Sequence, residues 1–120
     1  MAASSSSRAR SAPAPEHLNE VRLVGRLAAT PEDRLLPSGD ALATFRMVVE
    51  RPEGTPGPRV DTLDCSSWRA DIRRAAAGWT PGDVLSIEGR LRRRFWRVGA
   101  GVASRYEVEV NRAKRLQRAS

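Results

Sequence analysis

Four residues at alternate positions, Arg90, Arg92, Arg94 and Trp96, are the side chains in this sequence best suited to act on a partner molecule. They lie in residues 84–96, VLSIEGRLRRRFW. An extended chain repeats every two residues, so it sends these four to one side and Leu85, Ile87, Gly89 and Leu91 to the other. Arg93 has the odd parity and drops out of the row. Cations spaced along a strand and closed by a flat ring suit a polyanion whose bases can stack, which describes single-stranded nucleic acid. A solvated edge strand whose charges only deter aggregation would carry the same pattern.

Covalent chemistry finds little footing. His17 is the only histidine and Cys65 the only cysteine, so the chain has neither an internal disulfide nor the donors of an ordinary zinc site. Cys65 falls on the inward parity of a strand with no base near it, which reads as a buried thiol and not a nucleophile. No glycine-rich loop has phosphate-cradle spacing, and paired acids such as Glu32 and Asp33 fall in turns. The expectation is a non-enzyme without cofactor or metal.

Charge supports the first feature. The net charge is +7 with a pI near 11.3, and residues 90–120 set nine arginines and Lys114 against only Glu107 and Glu109. A field concentrated in one stretch points to phosphates more than to general solubility. An anionic membrane surface would also attract it, but no amphipathic or long apolar segment accompanies it. The N-terminus lacks the apolar segment of a secretory signal, and a cytoplasmic, nucleoid-associated location is expected.

The elements that must position these residues follow from periodicity. Residues 1–17 are rich in Ser, Ala and Pro and read as a disordered tail. Val21, Leu23, Gly25 and Leu27 alternate with polar neighbours as a first strand, and residues 33–36 read as a short extended piece before the turn at 37–40. A second strand spans 41–51, a Pro- and Gly-rich loop spans 52–59, and a third strand spans 60–67 with Leu63 and Cys65 inward. The period then lengthens: residues 69–78 read as a short helix with Ser67 as a possible cap. The strand at 84–96 follows, then a hairpin tip at 98–101, a last strand over 102–110 and a basic end over 112–118. The expected fold is all-β: a five-stranded antiparallel barrel of the OB type, with one helix between strands three and four. Strand order alone also allows a sandwich; the single helix in that slot discriminates.

Residues 19–27, NEVRLVGRL, resemble the N-x-V-x-L-x-G-x-L opening of bacterial single-stranded DNA-binding proteins. PEDR at 31–34, PSG at 37–39 and ALA at 41–43 are similar to the elements that follow in that family, and GDVLSIEGRLR at 82–92 resembles its G-x-x-V-x-I-E-G-x-L-R. The likeness covers roughly residues 19–116. It implies an OB-fold domain over 18–116 and a short basic end over 117–120. It also implies stacking of bases on Trp96 and Trp68, and a basic role for Arg92 and Arg94, which Arg90 extends along the same face.

The sequence departs from the pattern in three places. Thr62 stands where the family usually has a stacking Trp, Asp64 stands where it has a basic residue, and Glu53 replaces a loop Trp of some members. A base–aromatic stack contributes about 1–3 kcal/mol, so a shorter footprint or lower affinity is expected. The sequence ends on Arg118, Ala119 and Ser120 where members of the family commonly carry an acidic tail that recruits replication and repair enzymes, so the expectation is an auxiliary or paralogous role without that recruitment.

The implied function is non-catalytic, largely sequence-independent binding of single-stranded DNA in replication, repair or recombination, by a homo-oligomer, a tetramer by resemblance. The alternative is an OB-fold paralogue that binds protein partners or RNA. Trp79 and Tyr106 are expected in the core. Base contact and packing on the helix start are both open to Trp68, and the barrel mouth and a neighbouring subunit are both open to Phe95.

Overall fold

Alternating apolar and polar residues drive most of the described residues into strands, while the alanine-rich stretch after Trp68 forms a helix. A computed structural model of the chain describes residues 12–120. In order they form β1 (Val21–Leu27), β2 (Glu32–Leu35), β3 (Ala41–Glu50), β4 (Val60–Ser67), α1 (Ala70–Ala76), β5 (Val84–Val98) and β6 (Gly101–Gln117). Most of the expected tail lies outside the described residues; residues 12–20 are exposed and carry no helix or strand.

The sheet runs β1-β5-β6-β4-β3 and closes by pairing β3 with β1 at Arg26↔Val48 and Leu27↔Met47. This is the expected barrel with two corrections. β2 adds a sixth strand, a hairpin partner of β3 alone. The barrel is not antiparallel throughout, because β4 and β6 meet in parallel at Cys65↔Val108 and Ser66↔Glu109. Closing a sheet this small brings backbones very near one another. Gly25 and Gly89 stand where a Cβ would strike the carbonyls of Val48 and Glu109, so these two positions of the motifs have a steric reason to lack a side chain.

Inward residues of every barrel strand meet α1 in one core: Leu27, Phe45, Met47, Cys65, Leu85, Ile87, Val108 and Val110, with Ile72 and Ala76 from the helix. Each fully buried large side chain there contributes roughly 1.5–3 kcal/mol. Trp79 is core as expected, its ring edge-on to Phe45 at 5.3 Å. The helix is shorter than expected and Ser67 does not cap it. Arg69 is the N-cap, without a side-chain bond, while the Ser67 hydroxyl donates to the Val110 carbonyl at 2.7 Å and so ties β4 to β6. A seven-residue helix is too short to persist alone and is held by its buried face.

β5 and β6 are the long elements, and their hairpin continues past the barrel to a two-residue turn in which Gly99 takes a φ of +56°. The basic end is part of β6, which runs to Gln117. Tyr106 is a further correction: it shares parity with buried Val108 but is 58% exposed. The barrel ends at the β4–β6 junction, so beyond Val108 no opposing strand covers that face.

Candidate nucleic-acid interface

The row Arg90, Arg92, Arg94 and Trp96 occupies one face of the β5–β6 hairpin, opposite Glu109, Glu107, Arg105 and Ala103 of β6. Arg93 lies on the other face, between the rings of Phe95 at 5.0 Å and Tyr106 at 5.4 Å, with its Nε and Nη2 donating to the Ser104 hydroxyl. Phe95 is 63% exposed, out on the arm and away from the barrel mouth.

Each arginine of the row meets a carboxylate of β6, Arg90 directly across the ladder and Arg92 and Arg94 on the diagonal. Arg90 Nε donates to Glu109 Oε1 at 2.9 Å and Arg92 Nη1 to the same oxygen at 3.1 Å, while Arg94 Nε donates to Glu107 Oε2 at 2.6 Å. Glu107 is itself buried and takes the Ser66 hydroxyl as well. Burial works to raise the Glu109 pKa, but the Arg90 bond and the charges of Arg90, Arg92 and Arg94 prevail and hold it below the usual carboxylate value. The two acids that count for little in the net charge are therefore the two in contact with the basic row.

The barrel side of this face comes from β3 and β4. Arg46 Nε donates to Asp64 Oδ1 at 3.1 Å, and Arg105 lies 3.9 Å from Asp64 and 3.8 Å from Glu107. An open groove of about 330 Å³ continues the face past Arg34, Thr44, Arg46, Asp64 and Arg105. Both candidate stacking residues border these guanidiniums. Trp68 is 37% exposed with Arg94 5.7 Å from its ring centre, and Trp96 is 45% exposed with Arg105 at 6.0 Å. Each ring offers a surface beside a cation, the arrangement single-stranded bases stack on.

Sequence reasoning brings Arg90, Arg92, Arg94, Trp96 and Trp68 to this one side of the molecule, and the structure adds Arg46 and Arg105 to them. Arg46 and Asp64 share the outward parity of paired strands, a signal that was available once β3 and β4 were aligned. Asn19 was also missed. Its side-chain amide donates to the Leu91 carbonyl at 2.8 Å and accepts from the Leu91 N–H at 2.9 Å, continuing the β1–β5 ladder beyond Val21. It fixes the base of the arm to the barrel. Cys65 is buried as expected; desolvation, then the charges of Asp64 and Glu107, push its thiol up to about 12, where it stays protonated and unreactive.

Residues 18–117 match the model of the single-strand binding protein family. The chain belongs to that family. Single-stranded DNA-binding protein A of Bacillus subtilis is 39% identical over 79 residues, which are 64% of this chain and 46% of that protein. Single-stranded DNA-binding protein 3 of Listeria innocua is 37% identical over 79 residues, 64% of this chain and 49% of the relative. The matched region thus spans about half the length of these relatives. Among solved structures, the Plasmodium falciparum SSB in complex with ssDNA superposes with a TM-score of 0.66 at 21% identity, covering 85% of this chain and 96% of that one, a likeness of fold.

Proposed function

We propose that this protein binds single-stranded DNA without catalysis and largely without regard to sequence, shielding it in the cytoplasm during replication, repair or recombination. The observation that carries the reading is the face on which Arg90, Arg92, Arg94, Arg46 and Arg105 surround the exposed rings of Trp96 and Trp68. Arginines follow a phosphate backbone and rings take bases of any identity, so neither contact reads sequence. Membership of the family and the names of the relatives support it. Titration with oligo(dT) tests it: tryptophan fluorescence is quenched and binding weakens as salt rises. Absence of both effects overturns the reading.

The stacking role falls to Trp96 and Trp68 and the phosphate role to Arg90, Arg92 and Arg94. One short arm offers a limited footprint, and we propose a homo-oligomer, a tetramer as the family resemblance implies; sedimentation as a monomer at micromolar concentration would refute it. Carboxylates within the face keep the interaction-module or RNA-binding alternative in view. Competition among single-stranded DNA, RNA and duplex at fixed salt decides between them, and equal weak binding to all three favours the alternative.

A further inference from the structure

The phosphate-facing arginines are held by the protein's own acids, and the way they are held matters. Arg90, Arg94 and Arg46 each give Nε to a carboxylate, of Glu109, Glu107 and Asp64 respectively. Nε and the neighbouring Nη form the side-on fork by which a guanidinium takes an oxyanion with two parallel bonds. With Nε engaged, a phosphate is left the end-on pair of Nη donors or must displace the acid. Arg92 gives Nη1 to the oxygen that already holds Arg90, so Glu109 occupies two arginines at once. Across the face, five arginines (46, 90, 92, 94 and 105) meet three carboxylates (64, 107 and 109).

We propose that Glu109, Glu107 and Asp64 are built-in competitors of the nucleic-acid phosphates, which set the affinity of this face by occupying its arginines. The inference rests on the functional reading above and deepens it. Glu109 is held below its usual pKa by its arginines, so its share of the competition does not lift between pH 6 and 8. It makes the protein a restrained binder: tryptophan stacking carries a larger share of the affinity, and few counterions are released. A slope of about −0.7 in log K against log salt for each phosphate neutralised gives roughly −1.4 for the two uncompensated cations, where five free arginines would give about −3.5.

Restraint and positioning predict opposite signs. If the acids merely aim the arginines at DNA, removing a charge weakens binding. If they compete, it strengthens binding. Glu109→Gln keeps the side-chain shape; in full-length protein titrated with oligo(dT) at about 0.1 M salt it should bind on the order of fivefold tighter, the size of one close charge interaction in water, with a salt slope steeper by about 0.7. Asp64→Asn, on a different strand, should move both quantities the same way. Asp40→Asn, in the β2–β3 turn and hydrogen-bonded to Ser38, makes the same change in net charge away from the face and should alter neither. Unchanged or weaker binding by both face variants, or equal tightening by Asp40→Asn, overturns the proposal while leaving single-stranded DNA binding intact. No binding by the unaltered protein and by the variants overturns the functional reading together with this inference.

Discussion

The two halves of β5 share one strand and one alternation, yet they do different work. In the barrel half, Leu85 and Ile87 are fully buried and Ser86 and Glu88 are half-buried. In the arm half the same inward parity yields Leu91, 44% exposed, and Phe95, more exposed still. The change falls where the β5–β6 ladder passes the bulge at Glu88/Gly89 and leaves the contact with β4. Periodicity says which residues share a face; only closure of the barrel says whether that face is dry. The barrel half stores stability, and the arm half, relieved of it, can give both faces to solvent and a partner.

Leu85→Ala tests this separation with the largest effect. It opens a cavity in the core and should lower unfolding free energy by about 2–5 kcal/mol, whereas Leu91→Ala, one pleat repeat beyond Gly89, should change it by about 0.5 kcal/mol or less. Urea denaturation of both variants reads the difference directly, and equal losses would show that the arm folds as part of the core. Next in size is Trp96→Ala, which should weaken oligo(dT) binding by about 1–3 kcal/mol and leave the urea midpoint nearly unmoved. Trp68→Ala should weaken binding less, since that ring is less exposed and lies at the end of a barrel strand. The reverse ranking would move the main contact from the arm to the barrel.

The barrel half of the chain was the more legible in sequence. Strand order, the helix slot and inward Cys65 follow from alternation and turn residues, because each is a local pattern, while the core place of Trp79 follows from the family resemblance. The interface residues were legible as a row for the same reason: parity alone separates Arg93 from Arg92 and Arg94. What alternation does not carry is the identity of the opposing residue. Glu107 and Glu109 are plain in the sequence, but that they sit across from Arg92 and Arg90 depends on the hairpin register and on a bulge. Tyr106 fails for a related reason, since its parity is that of the core and only the position of the last barrel contact leaves it outside. The parallel β4–β6 seam and the paired hydrogen bonds of Asn19 with Leu91 are contacts between distant segments with no local signature.

Two carboxylates extend the comparison to acid. Asp83 closes the barrel end: it accepts the Thr80 and Ala119 N–H groups at 2.9 and 2.7 Å, the Thr80 hydroxyl and Arg115 Nη1. The Thr80 and Ala119 amides outweigh its desolvation and bring its pKa down from 3.8 to about 2. A group depressed in this way favours the folded state above its unfolded pKa, and the benefit disappears as pH falls from about 4 toward 2. Asp83→Asn should therefore melt below the unaltered protein at pH 6, with the gap closing toward pH 2. Glu109 is depressed as well, and its charge too favours folding at neutral pH, but its arginines are half-exposed and screened by solvent. Glu109→Gln should shift the melting temperature by the smaller amount. If its shift matched that of Asp83→Asn, the ion pairs at the root of the arm would hold the fold as firmly as the barrel clasp, and the division between a stabilising half and a binding half of β5 would fail.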